Sequence, residues 1–337
     1  MTRTNPRRSW PALHGTAVLC LLGGITPAAA IDASAASAAR QTARLSVFVS
    51  ILPQKYFVER VGGDRVNVSV LLPAGQSEIT YEPTARQLVA LSAANVYFRT
   101  LVPFEKRLAD KIDNTLRSVP IVNTCRDIDL RPGDCSHHQE QDHANNEAHT
   151  ADNGRHDEID PHVWMSPRLV KPQARIICEQ LCILDPAHED EFRRNLAAFE
   201  ADLDHADQHI AALLAPYRGR AFFVFHPAYG YFADAYGLEQ VAVQSGGKEP
   251  AAKRLAELID RAKRDGVRAV FVQPQFSRIS AGAVARQIDG VTITVDPMTE
   301  DYLSNIVHIA ECIHAALQGR TSCADAPSPL QFPSGSH

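Results

Sequence analysis

The sequence predicts an α/β fold with two lobes, each a mostly parallel sheet flanked by helices, joined by one long rigid helix. Short apolar segments alternate with helical ones over residues 44–186 and again over 216–318, which is typical of βαβ units. Between these lobes, residues 187–215 carry one apolar stripe at helical spacing. With 337 residues, 45% of them hydrophobic, the chain is long enough for two cores.

The N-terminus is predicted to direct export. Residues 1–30 read as a cleaved signal peptide, because a basic start precedes a short apolar run and small residues that end at Ala30. The apolar run is too short for a permanent membrane anchor, so we expect a periplasmic protein. Residues 31–43 and 319–337 are expected to be a disordered leader and tail. The net charge of −5 argues against a nucleic-acid partner.

Six of the seven cysteines remain after cleavage, in a compartment that permits disulfides. They are Cys125, Cys135, Cys178, Cys182, Cys312 and Cys323. Six cysteines allow 15 pairings, and the sequence does not choose among them. Cys125 and Cys135 flank the entry to a histidine-rich segment, where they form either a bridge that fixes its base or two small core residues.

Four apolar segments are predicted as the strands of the N-terminal lobe: residues 45–52, 66–73, 95–99 and 119–123. A helix follows the first strand and ends at Gly62 and Gly63. A second helix is predicted over 81–94, with Pro83 in its first turn, where a missing N–H does no harm.

The connecting helix is predicted from apolar residues that recur at alternating spacings of four and three between residues 187 and 214. These residues are Phe192, Leu196, Phe199, Leu203, Ala206, Ile210 and Leu213. At 1.5 Å per residue the helix spans about 42 Å, which is enough to brace both lobes. The alternative is a long surface helix.

The C-terminal lobe repeats the alternation of strand and helix. Its predicted strands are residues 220–226, 240–245, 267–274 and 291–296. Polar side chains stand at the ends of two of them, His226 and Asp296, while His162 follows the histidine-rich segment in "DPHVWMSP". Ligands of open parallel sheets bind beyond the carboxyl ends of the strands. Two imidazoles and a carboxylate converging there suit a divalent cation such as Zn²⁺.

The motifs of both lobes resemble one family, the metal-binding receptors of bacterial zinc and manganese ABC importers, known as ZnuA/TroA-like. The resemblance covers about residues 44–318. It rests on "SILPQKYFVERVGGDRVNVSVLLPAG", "YEPT", "DPHVWMSP", "FHPAYGYFADAYGL", "GKEP" and "VDPMTEDYLSNI".

The resemblance implies a metal ion in the cleft between the lobes, with His162, His226 and Asp296 as three of its ligands. It implies high-affinity extracytoplasmic binding of Zn²⁺, or of Mn²⁺, and delivery to the membrane permease of an ABC importer. We further expect a monomer without enzymatic activity.

The first ligand position departs from the family pattern. Where the family has a histidine before Tyr-Glu-Pro, this chain has "SEITYEP", so that Ile79 stands in its place. The neighbouring Glu78 is the candidate substitute. A water molecule or a histidine from the histidine-rich segment are the alternatives.

The histidine-rich segment, residues 134–160, carries eight acidic residues and one basic residue. Its histidines are His137, His138, His143, His149 and His156. Imidazoles with an ordinary pKa of about 6.5 are largely neutral near pH 7 and free to coordinate metal. The segment is therefore interpreted as an auxiliary zinc collector, and the alternative is a solvated loop that binds metal incidentally.

Two other functions share some of these features. A receptor for a metal chelate or corrinoid would use the same frame, but is expected to line its cleft with aromatic and arginine side chains. A zinc-dependent hydrolase would use His162, His226 and Asp296 with an open fourth position. It also needs a general base and a substrate pocket, for which only Glu78 is a candidate.

Overall fold

The computed structural model describes residues 44–108, 119–133, 159–244 and 250–323. Within these ranges the chain forms two sheets of four strands, and every strand pair is parallel. The predicted two-lobe α/β class is confirmed.

Several predicted segments lie outside the described residues. They are the signal peptide and leader (1–43), most of the histidine-rich segment (134–158) and most of the tail (324–337). In the described part of the chain, no helix is both long and apolar enough to cross a membrane.

The N-terminal sheet has the order β2-β1-β3-β4. Its strands are β1 (Leu45–Val49), β2 (Val66–Val70), β3 (Val96–Arg99) and β4 (Ile121–Asn123). Two helices connect them, α1 (Leu52–Gly62) and α2 (Ala85–Ser92), and residues 103–108 are also helical. Helix α1 ends as predicted, because Gly63 takes a positive φ of 53° that a side chain would disfavour.

The predicted start of α2 is wrong. Pro83 precedes the helix, and Thr84 is its N-cap. Thr84 and Gln87 form a capping box, in which the Thr84 side chain accepts from the Gln87 backbone N–H. This reciprocal bonding satisfies the first N–H groups of the helix, so it begins at Ala85.

A helix that the sequence reading did not identify, α3 (Pro167–Leu184), precedes the long helix α4 (Glu189–Leu214). Short 3₁₀ turns extend α4 at both ends, Pro186–His188 and Ala215–Tyr217. The predicted stripe of α4 is buried at five of its seven positions, while Leu196 and Leu213 are only partly buried and Leu214 is buried instead.

The C-terminal sheet has the order β6-β5-β7-β8. Its strands are β5 (Ala221–Val224), β6 (Glu239–Ala242), β7 (Ala269–Val272) and β8 (Val291–Thr294). Its helices are α5 (Gly230–Tyr236), α6 (Ala252–Arg264), α7 (Arg278–Gln287) and α8 (Tyr302–Leu317).

One cluster of buried apolar side chains joins the two lobes. It runs from Val47 in β1 through Phe199 in α4 to Phe222 in β5. Tyr302, at the start of α8, lies edge-on to Phe57 of α1 with ring centroids 5.0 Å apart. Because the lobes share a core, the described structure places their strand ends in a fixed relation.

The cysteines of the described residues fall into two states. Cys312 and Cys323 form a disulfide that ties the end of α8 to the residues after it. Cys125 is a buried free thiol whose Sγ lies 3.5 Å from Thr100 Oγ1. This agrees with the alternative of a small core residue, although Cys135 lies outside the described residues.

Candidate metal centre

Three metal-ligating side chains converge between the lobes: Glu78, His162 and His226. One ligand atom of each lies within 4.8 Å of the others, and all three residues are buried. Glu78 Oε1 is 3.6 Å from His162 Nε2 and 3.4 Å from His226 Nε2. In the described part of the chain, no other group of three His, Cys, Asp or Glu side chains meets this condition.

Glu78 lies on the loop that follows β2. The Phe104 backbone N–H donates to the Glu78 carbonyl at 3.1 Å. The loop is tied to α2 as well, because Gln87 Nε2 donates to the Leu71 carbonyl at 2.7 Å. These bonds hold the Glu78 backbone beyond the carboxyl ends of the N-terminal strands.

His226 lies two residues beyond β5, where the sequence placed it. Gln273, just after the neighbouring strand β7, donates from Nε2 to the His226 carbonyl at 3.3 Å. Phe276 stacks on the imidazole with ring centroids 4.5 Å apart. The site therefore lies at the switch point between β5 and β7, where open sheets of this kind bind ligands.

His162 is oriented by Asp160. Its Nδ1 lies 2.7 Å from Asp160 Oδ1, which also accepts from the His162 backbone N–H at 3.0 Å. Since Nδ1 donates to the carboxylate, Nε2 is the nitrogen that faces Glu78. Trp164, two residues after His162, donates from Nε1 to the Pro297 carbonyl at 2.9 Å. This bond links the turn that carries His162 to the C-terminal lobe.

The donor set fits a tetrahedral zinc ion. Zinc lies about 2.1 Å from nitrogen and oxygen ligands, so two donors of one tetrahedral ion stand about 3.4 Å apart. The two distances from Glu78 Oε1, 3.4 and 3.6 Å, match this spacing. His162 Nε2 and both ring nitrogens of His226 are buried and lack a hydrogen-bond partner among the described residues. Unpaired buried polar atoms are costly, and a bound cation would satisfy the two Nε2 atoms.

The charges of the site favour a bound cation. Burial would raise the pKa of Glu78, but the imidazoles of His162 and His226 beside it hold this pKa well below its usual range. Burial would lower the pKa of His162, but Asp160 and Glu78 outweigh it and raise this pKa to about 9. In the metal-free protein the carboxylate of Glu78 is thus balanced by a proton on His162.

Asp296, predicted as a ligand, does not belong to the group of three. Its Oδ1 accepts from Gln275 Nε2 at 3.1 Å and from the Met298 backbone N–H at 2.9 Å. Ile79, which stands where the family has histidine, is half-buried, and its N–H donates to Ser77 Oγ at 3.2 Å. The auxiliary histidines of residues 137–156 lie outside the described residues.

The sequence reading missed the residues that support His162. Asp160 Oδ2 lies 3.7 Å from an Arg131 guanidinium nitrogen, and Tyr231 Oη donates to the Asp160 carbonyl at 3.0 Å. Gly230 leaves room for them: a Cβ there would lie 2.6 Å from Asp160 Oδ2 and 1.5 Å from Arg131 Nη1. The sequence "DPH" does contain a signal for Asp160, because an aspartate two residues before a histidine ligand can accept from its ring and orient it.

Gly230→Ala is expected to weaken zinc binding without removing a ligand. The new methyl group must displace Arg131 and Asp160, and the loss of such supporting contacts typically costs about 10–100-fold in metal affinity. Chelator competition measures the change, with Gly282→Ala as the control, since its nearest contact is at 3.5 Å. Equal affinity of both variants and the parent would show that Asp160 does not position His162.

Comparisons with known proteins match most of the chain to one family. Residues 47–316 match the family described as zinc-uptake complex component A, periplasmic (ZnuA). The zinc-binding lipoprotein AdcA of Streptococcus pneumoniae is 29% identical over 263 residues, which are 76% of this chain and 50% of AdcA. The high-affinity zinc uptake system protein ZnuA of Yersinia pestis is 28% identical over 270 residues, 76% of this chain and 84% of that protein. The chain thus spans about half the length of AdcA.

Solved structures show the same fold. A ZnuA crystal structure superposes with a TM-score of 0.72 at 36% identity and covers 81% of this chain and 99% of its own. A zinc-bound deletion mutant of ZnuA superposes with a TM-score of 0.72 at 37% identity, and the match covers 81% of this chain and 98% of the mutant. The periplasmic zinc-binding protein TroA of Treponema pallidum shares the fold with a TM-score of 0.68 at 22% identity. The match covers 81% of this chain and 99% of TroA. From the family match over residues 47–316, the chain belongs to the ZnuA family of periplasmic zinc-uptake components.

Proposed function

We propose that the protein binds Zn²⁺ with high affinity in the cleft between its lobes and delivers it to the membrane permease of an ABC importer. The observation that carries the proposal is that Glu78 Oε1 lies at the separation of tetrahedral zinc ligands from the Nε2 atoms of both His162 and His226, and that all three residues are buried. Asp296 is proposed as the fourth ligand through Oδ2, since Oδ1 is engaged with Gln275 and Met298.

Zinc is favoured over manganese by the chemistry of these donors. Two imidazole nitrogens and a carboxylate in tetrahedral spacing suit Zn²⁺, whereas Mn²⁺ prefers six oxygen-rich ligands. The relatives support the same choice, because AdcA and ZnuA are described as zinc-binding and zinc-uptake proteins.

The protein is proposed to act outside the cytoplasm, as a monomeric transport receptor without catalytic activity. The family is described as periplasmic, and the proposed signal peptide, residues 1–30, would direct the export. A hydrolase is not favoured, because Glu78 lies between the two imidazoles as a ligand and is not left as a general base. A receptor for a chelate or corrinoid is not favoured either, because the donors converge on one small ion.

The mature protein is expected to bind one Zn²⁺ tightly and further ions weakly, because it combines the buried site with the five histidines of residues 137–156. Titration calorimetry against a competing chelator separates the two classes. Deleting residues 137–156 should remove the weak class and leave the tight ion in place. A single class of equivalent ions, or loss of the tight ion on deletion, would contradict the proposed division of roles.

Zinc binding is expected to release about one proton near pH 7.5. The pKa of His162 is raised to about 9 in the metal-free protein, and zinc must displace the Nε2 proton. The affinity should therefore rise about tenfold per pH unit up to pH 9 and level off above it. Calorimetry in buffers of different ionisation enthalpy counts the protons. No release at pH 7.5 would mean that His162 is already neutral before zinc arrives.

A further inference from the structure

Helix α3 carries two thiols that the zinc site does not use. Cys178 and Cys182 are one helical turn apart and point to the same face, and their Sγ atoms are 4.0 Å apart. Both are buried and both are free thiols. The Cys312–Cys323 disulfide uses other residues, so this pair has no assigned role.

The separation of the sulfur atoms suits one shared metal ion. Metal–thiolate bonds are about 2.3 Å long, so two thiolates on one ion lie at most about 4.6 Å apart. At 4.0 Å the pair can hold an ion between them with little movement of the helix. A disulfide would instead require the sulfur atoms to close to about 2.05 Å.

The surroundings restrict which ion fits. In the described part of the chain, no third His, Cys, Asp or Glu ligand atom completes a group of three with these thiols within 4.8 Å. Zinc and manganese need four or more ligands. A soft d¹⁰ cation such as Cu⁺ is satisfied by two thiolates, and thiolates are the ligands it prefers.

We propose that Cys178 and Cys182 form a second metal site, selective for a soft monovalent cation of the Cu⁺ type. Binding breaks two S–H bonds and forms two Cu–S bonds, and both protons go to solvent. Copper stays in the +1 state, so no electron is transferred. The resulting bis-thiolate complex has a charge of −1.

Arg193 of α4 is a cation near the pair, and its guanidinium also donates to Glu189. Its guanidinium interacts electrostatically with both thiols. Burial, together with Cys182, raises the pKa of Cys178 to about 12 while Arg193 acts in the opposite direction. The Cys178 thiol is therefore protonated until a metal displaces its proton. Cys178 lies about 16 Å along α3 from its first residue, and neither thiol belongs to the group formed by Glu78, His162 and His226.

The test measures Cu⁺ binding by the full chain in competition with a chromogenic Cu⁺ chelator. Ascorbate keeps the copper reduced without breaking the Cys312–Cys323 disulfide. One Cu⁺ per chain should be retained, with a near-ultraviolet thiolate-to-copper absorption. Cys178→Ser and Cys182→Ser should each lower this affinity by more than about 100-fold, because one of only two ligands is lost. Copper held by the histidine-rich segment is the same in every variant and cancels in the comparison.

Cys125→Ser is the matched control, because it also removes a buried free thiol but should leave copper binding unchanged. Zinc affinity at the cleft, measured in all three variants, reports that the fold is intact. The proposal is overturned if either Cys178→Ser or Cys182→Ser binds Cu⁺ like the parent. It is equally overturned if mass spectrometry of the purified protein finds Cys178 and Cys182 joined as a disulfide.

Discussion

His226→Ala is expected to lower the zinc affinity of the cleft by about 100–1,000-fold. Structural zinc sites with four ligands are worth about 10–16 kcal/mol, so one ligand carries about 3–4 kcal/mol, which corresponds to this factor. The imidazole also cannot be replaced by a neighbour, since Phe276 covers one face of the ring. Competition with a chelator of known zinc affinity measures the change.

The control for this variant is His308→Ala, which removes an exposed histidine of α8 that does not belong to the group of three. It should keep the parental affinity. If His226→Ala behaves like His308→Ala, His226 is not a ligand and the assignment of the cleft is wrong.

Glu78→Ala is expected to have an effect of similar size. Glu78 Oε1 is the atom that faces both imidazoles, so its removal leaves the two neutral imidazoles and only the proposed fourth ligand, Asp296, to offset the charge of the cation. Glu78→Gln keeps the shape but removes the charge, and is expected to recover only a small part of the affinity. Chelator competition and stopped-flow measurement of zinc release follow both variants.

Ile79→His tests whether the family histidine can substitute for Glu78. In the Glu78→Ala background it should restore part of the affinity, because a neutral imidazole is supplied one residue away. In the parent it should slow zinc release by a smaller factor, since Glu78 already fills the position. Parental affinity of Glu78→Ala would contradict the role given to Glu78, and no effect of Ile79→His in either background would show that residue 79 does not face the metal.

The strands and the long helix follow directly from local pattern. Val47 and Phe223 belong to short apolar runs that read as buried parallel strands, and both are buried in the two sheets. The apolar stripe of α4 has a spacing that only a helix satisfies. These predictions succeeded because the buried positions of the strands and of α4 coincide with the apolar runs and the apolar helical stripe in the sequence.

Helix α3 escaped prediction because it contains Pro172. A proline inside a helix removes a hydrogen bond and costs about 3 kcal/mol, so local propensity argues against a continuous helix. Burial of residues such as Val170, Ile177 and Leu181 against the core outweighs that cost. Val170, Ala174, Ile177 and Leu181 recur at helical spacing, so the apolar stripe of α3 is present in the sequence in spite of Pro172.

Two of the converging residues, His162 and His226, could be selected from the sequence, because strand ends and the "DPH" turn place them at one edge. The sequence does not decide between Glu78 and its alternatives, because the choice depends on which side chain of the loop points into the site. The hydrogen bond from Phe104 N–H to the Glu78 carbonyl fixes that orientation, and it joins residues distant in sequence. Asp296 remains a prediction for the same reason, since its approach depends on the contacts of Gln275 and Met298.

The most direct test of the zinc site is anomalous X-ray diffraction from crystals of the zinc-loaded protein, recorded on both sides of the zinc absorption edge. We predict one strong peak about 2.0–2.2 Å from Glu78 Oε1, His162 Nε2 and His226 Nε2. The peak should disappear in His226→Ala crystals grown in the same way. A peak elsewhere, with these three side chains left without an ion in fully loaded crystals, would contradict the claim that this cleft is the zinc site.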